Sequence, residues 1–235
     1  MTAPPPPWRR TPSPRRRAAK QMLSQELIVK TALEILAAEG IDAVSMRRVA
    51  QQLETGPASL YAYVAKKEEL DELMLDAALS EVPCPEPDPR RWTEQVKEQV
   101  RHQIRAMMAY PGIAKVAWQT PIPVTPNSLR QGEVMLQLLR AGGLDLRQAV
   151  FAGDALSTYT KAFAYEASGW TFGDYDPAEM SERERQMVDY MQSLPASAFP
   201  NLLQAGEFFT ADTSQARLEF ALEAFVAGLA AMVRK

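Results

Sequence analysis

Ser45, Arg47, Arg48, Pro57, Ala58, Ser59, Tyr61, Tyr63 and Lys67 bring hydroxyls, guanidinium groups and an ammonium together with small side chains in a short stretch of chain. Hydroxyls and cations of this kind hydrogen-bond phosphate oxygens and base edges, and small or planar residues between them fit a major groove about 12 Å wide. The same chain is poor in the residues of catalysis. It has one histidine, His102, and one cysteine, Cys84, so no Cys/His cluster for zinc can be assembled. Neither a glycine-rich phosphate loop nor a G-x-S-x-G elbow appears, and the acids are spread over helix faces rather than paired. An enzyme is therefore not expected.

Those candidate residues need a scaffold, and the apolar spacing supplies one. From Ser24, Ile28, Ala32, Ile35 and Leu36 recur on one helical face until Gly40, a residue suited to end a helix. Ser45 is a good N-cap for a second short helix with Met46, Val49, Ala50 and Leu53. A third follows the Gly56-Pro57 turn, with Leu60, Tyr61 and Val64. Three helices, two of them short and tightly linked, predict a helix-turn-helix. Leu60 and Val64 then belong to the packed face. Tyr61 and Tyr63 either place hydroxyls on phosphates or sit in the core, and Arg47 and Arg48 reach phosphate or a guanine edge.

Charge is distributed to match. The net charge is -3, yet residues 1–67 carry 11 Lys/Arg against 5 Asp/Glu, leaving 15 against 24 in the remainder. A basic head on an acidic body is suited to meeting a polyanion at one end. Residues 1–23 hold Arg9, Arg10, Arg15, Arg16, Arg17 and Lys20 among prolines and no acid. They read as a flexible basic arm, which either tracks phosphates and the adjacent minor groove or is a solvated tail. With no long apolar run and no signal segment, a cytoplasmic protein is expected. One cysteine agrees with a reducing compartment but weighs little.

Beyond a fourth helix from Lys67 to Val82, prolines at 83, 85, 87 and 89 predict an inter-domain hinge. Further helices are expected over 92–109, 113–120, 127–141, 145–168, 182–194 and 213–234, with a loop from Gly169 to Asp176 carrying Trp170, Phe172 and Tyr175. No period-two alternation bounded by hairpin signals interrupts them, so the fold class is all-α. The division expected is an arm over 1–23, a DNA-binding unit over 24–67 and a helical effector and dimerisation unit over 68–235. The last helix shows Leu218, Leu222, Phe225, Leu229 and Met232 on one stripe and Ala221, Ala224, Gly228 and Ala231 on another. Either the second stripe meets a second copy or the helix is buried within its own subunit.

Residues 31–67, TALEILAAEGIDAVSMRRVAQQLETGPASLYAYVAKK, resemble the DNA-binding domain of the tetracycline repressor (TetR) family. A-K-V-x-x-x-T at 114–120 and the spacing from Gly143 to Glu166 are similar to the ligand-binding branch of the tetracycline repressor itself. One departure lies in the turn, where the family commonly has glycine directly after the second helix and this chain has Glu54. The resemblance implies a homodimeric repressor that binds a pseudo-palindromic DNA operator, with Lys67 on a phosphate and Arg47 the more DNA-directed arginine. It also implies a small-molecule effector, with Gln103, Trp118, Thr120, Met135, Tyr159, Phe163 and Glu166 as candidate lining; core packing is the alternative for each. The family's metal-binding histidine position holds Ala117, so no magnesium site and no cofactor are expected. The rival reading is a ligand-binding or protein-interaction module that no longer touches DNA.

Overall fold

The computed structural model describes residues 23–110, 112–120, 124–172, 177–205, 208 and 213–233. The basic arm thus lies outside the described residues, apart from Leu23. Eleven α-helices and a 3-10 turn at Ile41–Ala43 make up the architecture, with no strand among the described residues.

The head of the molecule follows its caps. Helix α1 (Gln25–Glu39) starts where the Ser24 side chain accepts a hydrogen bond from the Leu27 amide at 3.2 Å, and it ends at Gly40 with φ 83. A 3-10 turn (Ile41–Ala43) leads to α2 (Met46–Gln52), capped by Ser45. Helix α3 (Pro57–Leu60) is a single turn, shorter than the spacing predicts; the Val64 amide still donates to Leu60 O at 2.9 Å and keeps the chain coiled past it. Leu60 and Val64 are wholly buried, as the sequence predicts.

Between α2 and α3 the absent glycine has a local consequence. Glu54 itself takes φ 49, the left-handed conformation that an L side chain resists, while Gly56 sits at an ordinary φ of -78. The Thr55 amide returns to Ala50 O at 2.9 Å and closes the turn around that residue.

Helix α4 (Lys67–Leu79) buries Leu70, Met74, Leu75 and Ala78. It packs on α1 on one side and on α5 (Trp92–Met108), α6 (Ile113–Gln119) and α7 (Pro126–Ala141) on the other. The expected boundary at 67/68 falls at the head of a helix that both parts share. The expected hinge is also altered, because three buried glutamines hold it. Gln95 donates to Glu86 O and accepts from the Asp88 amide, both at 2.8 Å, while Gln99 and Gln131 bond to Pro83 O and Val82 O.

Helix α8 (Leu146–Phe172) is about 40 Å long at 1.5 Å per residue and packs on α5, α6 and α7. It runs through the first half of the segment expected as a loop; residues 173–176 lie outside the described residues. Helix α9 (Pro177–Gln192) begins before the expected start, with proline at its first position, where a missing amide hydrogen is tolerated. Helix α10 (Pro200–Ala205) has no counterpart among the expected helices. In α11 (Ser214–Val233), Leu218, Leu222 and Val226 are buried and Ala224, Gly228 and Ala231 are exposed. Ala221 of the small-residue stripe is half-buried, and the other three members are not covered by the described residues of this subunit.

Ion pairs fix α11 to α5. Arg101 forks onto Glu219 at 3.0 and 2.6 Å and onto Glu94 at 2.9 Å, and Lys97 bridges Glu94 and Glu223 at 2.9 and 2.8 Å. The Arg101 hydrogen bonds hold Glu219 below its usual value of 4.5, and those from Lys97 and Arg101 do the same for Glu94. A lowered carboxylate pKa contributes stability that is present above the unfolded value and lost as pH falls through the folded one.

Two outcomes follow from this packing. Replacing Glu54 by glycine should raise the melting temperature by about 2–4 °C, the scale of ~1 kcal/mol for a chain of this length, as read by calorimetry; an unchanged or lower value would show that φ 49 stores no strain. The stability difference between wild type and Arg101→Met should be present at pH 7 and shrink steadily below about pH 4.5 in denaturant titrations, whereas a constant difference would assign Arg101 a packing role alone.

Candidate DNA interface and effector site

On α2 and α3 the outward residues separate into free and engaged. Ser45 uses its hydroxyl oxygen to accept from the Arg48 amide at 3.1 Å, so it organises the helix start. Arg48 forks onto Glu39 at 3.1 and 2.6 Å and donates to Gln52 at 3.0 Å, which joins α2 to α1. That contact pulls the Glu39 carboxyl below its ordinary range and pushes the Arg48 guanidinium up. Arg47 is exposed and makes no side-chain hydrogen bond or ion pair among the described residues. Two neighbouring arginines, indistinguishable by type, thus have different surroundings.

Pro57, Ala58 and Ser59 are exposed on α3, and Tyr61 and Tyr63 are 52% and 39% exposed beside them. Neither tyrosine is a core residue. The Tyr63 carbonyl accepts from Gln25 Nε2 at 3.3 Å, which ties the recognition turn to the head of α1. Lys67, at the first position of α4, is half-buried and paired with Asp71, whose carboxyl is pushed up by burial and drawn down by the lysine. Lys67 can reach a phosphate only by exchanging that partner or sharing it.

The seven effector candidates are divided by the fold. Met135 and Phe163 are buried, and Tyr159 packs against Phe163 and Phe225 with ring centroids 6.0 and 5.6 Å apart. Burial pushes the Tyr159 phenol up. Gln103 is half-buried. Thr120 is half-buried and its hydroxyl donates to Val116 O at 2.9 Å. Trp118 is 54% exposed, and Glu166 is exposed and paired with Arg217 of α11 at 2.8 Å. In the single chain, Trp118 and Glu166 therefore stand outside the packed aromatic group.

Sequence reasoning missed Gln99 and Gln131. Gln99 Nε2 donates to Gln131 Oε1 at 2.5 Å and to Pro83 O at 3.2 Å, and Gln131 Nε2 donates to Val82 O at 3.0 Å and contacts Cys84 Sγ at 3.7 Å. Both backbone partners can only accept, so the orientation of each amide is determined by them. What is left over is Gln99 Oε1, a buried acceptor with no partner among the described residues; Gln99 is 1% exposed. An unmet buried acceptor costs about 1–3 kcal/mol, which makes it a natural place for a ligand's donor. A signal was present in the sequence: Gln95, Gln99 and Gln103 recur every four residues on α5, alongside the buried Val96, Val100 and Ile104.

Ala117 is buried, and among the described residues no group of three or more His, Cys, Asp or Glu could hold a metal ion. An open cleft of about 340 Å³ lies elsewhere, between Leu36–Asp42 and Gly112. There Gly112 has φ 93, and a Cβ on it would meet Ile41 at 2.7 Å, so the start of α6 abuts the 3-10 turn closely. Among the described residues no helix is long and apolar enough to cross a membrane.

Comparison with known proteins agrees with this geometry. Residues 28–72 match the family described as "Bacterial regulatory proteins, tetR family", and residues 84–233 match "Tetracyclin repressor-like, C-terminal domain". The Streptomyces coelicolor TetR family protein ActR, solved in complex with actinorhodin, is 44% identical, with a TM-score of 0.81 over 91% of this chain and 99% of that one. An HTH-type transcriptional regulator of Saccharopolyspora erythraea is 30% identical over 90% of this chain and 86% of its own length. The HTH-type transcriptional repressor DrrR1 of Streptomyces coeruleorubidus is 36% identical over 77% and 70%.

The two arginines give a direct comparison. Arg47→Ala should weaken binding to duplex DNA by about tenfold at unchanged melting temperature, the scale of one lost phosphate or base contact. Arg48→Ala should lower the melting temperature as well; equal thermal behaviour of the two variants would remove the distinction drawn from the Glu39 pair.

Proposed function

Because the chain belongs to the tetracycline repressor family of bacterial transcriptional regulators, we propose that Arg47, Pro57, Ala58, Ser59, Tyr61 and Tyr63 form its operator-reading surface. It is a ligand-responsive, DNA-binding regulator that works as a homodimer. The observation that carries the assignment is the orientation of the α2–α3 unit: Leu60 and Val64 wholly buried, Tyr61 and Tyr63 in solvent, and Arg47 exposed with no side-chain partner among the described residues. Ser45 and Arg48 support this surface from behind, and Lys67 serves it at the edge.

The mode of action is repression relieved by effector. Two copies meet through the exposed small-residue face of α11 and the neighbouring exposed Leu146, Val150 and Phe151 of α8. Such a dimer would need its two recognition turns about 34 Å apart, the spacing of successive major grooves. The effector is a planar aromatic molecule that carries a hydrogen-bond donor. Met135, Tyr159 and Phe163 suit its rings, and Gln99 Oε1 takes its donor, with the half-buried Gln103 one turn further along α5. Effector and operator then oppose each other reciprocally, each weakening the other by the same factor.

Selection of duplex fragments by the purified dimer tests the first part. A pseudo-palindrome whose affinity falls with salt, at roughly -0.9 in log K per log salt for each phosphate contact, is the expected result. Recovery of no preferred sequence would leave a ligand-binding module in its place. Actinorhodin, the ligand of the solved relative, is the probe for the second part: it should release the selected duplex, and Gln99→Leu should weaken actinorhodin binding by about tenfold while DNA binding is kept. Unchanged actinorhodin affinity in that variant would exclude Gln99 as the polar anchor.

A further inference from the structure

The start of α7 is capped by another helix. Pro126, its first residue, has no amide hydrogen, and the Leu129 amide already donates to Thr125 O at 2.9 Å. The two amides that remain, Asn127 and Ser128, both donate to Asp76 Oδ1, at 2.7 and 3.2 Å, and Asn127 Nδ2 donates to Asp76 Oδ2 at 2.9 Å. The local N-cap, Thr125, makes no side-chain bond to the helix amides; its hydroxyl pairs with Ser128 Oγ at 2.9 Å. Asp76 belongs to α4, 51 residues before Asn127.

We propose that Asp76 is a positioning residue for DNA binding: by capping α7 from α4, its carboxylate fixes how α4 presents the α2–α3 unit to the operator. The apolar residues of α4, Leu70, Met74, Leu75 and Ala78, hold the helix in place by burial but make no directional bond. Three hydrogen bonds to one carboxylate supply that direction. A helix advances 1.5 Å per residue, so an axial shift of one residue would break bonds of 2.7–3.2 Å. A negative charge at a helix N-terminus also favours this one register, because the amide dipoles of α7 point at it. Helix α4 continues directly from the recognition turn, beginning at Lys67, so its orientation sets the direction of Arg47 and Tyr61. In a dimer that must span two grooves, an error at α4 is made twice.

The test separates positioning from capping alone. In Asp76→Ala, affinity for the duplex recovered by selection should fall about tenfold, while affinity for a random duplex stays within twofold. The conservative Asp76→Asn, which keeps an acceptor for the two amides, should lose less. In the double variant Asp76→Ala/Thr125→Asp, the carboxylate introduced beside Pro126 caps α7 locally without a link to α4. The melting temperature should then recover and operator affinity should not. If operator affinity recovers together with melting temperature, or if Asp76→Ala binds the operator as wild type does, the proposal is overturned. A wild-type dimer that selects no duplex would remove the operator itself and this proposal with it; failure confined to the variants bears on Asp76 alone.

Discussion

Burial of α4 on both of its sides is the constraint on which the rest of the structure depends. Leu70, Met74, Leu75 and Ala78 are at most 3% exposed, and they contact α1 of the DNA-binding head as well as α5, α6 and α7 behind it. One apolar core therefore runs from Ile28 to Val226 rather than dividing in two. At roughly 25 cal/mol for each Å² of apolar surface removed from water, neither side can release α4 cheaply, so the head cannot swing freely on a linker. It can only change its packing between discrete arrangements, which is the kind of element a ligand-driven switch requires.

Polar groups add direction to that burial. The strap from Val82 to Asp88 would be a flexible connection if its carbonyls met only water. Instead Gln95, Gln99 and Gln131 take up four of its backbone groups from inside the bundle. Buried amides have high stakes: satisfied, they specify one geometry, and a single missing partner is costly. Among the described residues that missing partner is at Gln99 Oε1, on the face of α5 that turns toward α7. The same glutamines thus join the strap that follows α4 to α5 and α7, with one acceptor left over.

Much of this was legible in the sequence, and the reasons differ by element. The caps Ser24, Gly40 and Ser45 and the four-residue recurrence of apolar side chains are local signals, so the order of the long helices and the buried Leu60 and Val64 could be read directly. Recognition of the family rested on an ordered series of such signals. Pairings distant in sequence were not legible. Nothing in the type of Arg48 distinguishes it from Arg47; the difference is Glu39, which the fold brings within 2.6 Å. The prolines after α4 looked like a hinge because proline denies amides to a helix, but it leaves carbonyls free, and the glutamines that use them are on other helices. Trp118 and Glu166 are candidates through the family resemblance, and a resemblance in sequence does not reveal that one is in solvent and the other faces Arg217.

The turn at Glu54 shows how a family pattern can be departed from without changing the fold. A glycine relieves left-handed strain at no steric cost, so its absence would ordinarily argue for a different turn. The chain keeps the turn instead, because the ends are over-determined: Val49 and Ala50 are wholly buried before it, Leu60 after it, and the Thr55 amide is held by Ala50 O. Packing on both sides outweighs a local penalty of about 1 kcal/mol. The same reasoning applies across the head. The residues that would face DNA are not needed to hold it together, whereas Ser45, Arg48 and Gln25 carry the bonds that do. Arg47, Ala58, Ser59 and Tyr61 are exposed, so changes there leave the buried scaffold beneath them as it is.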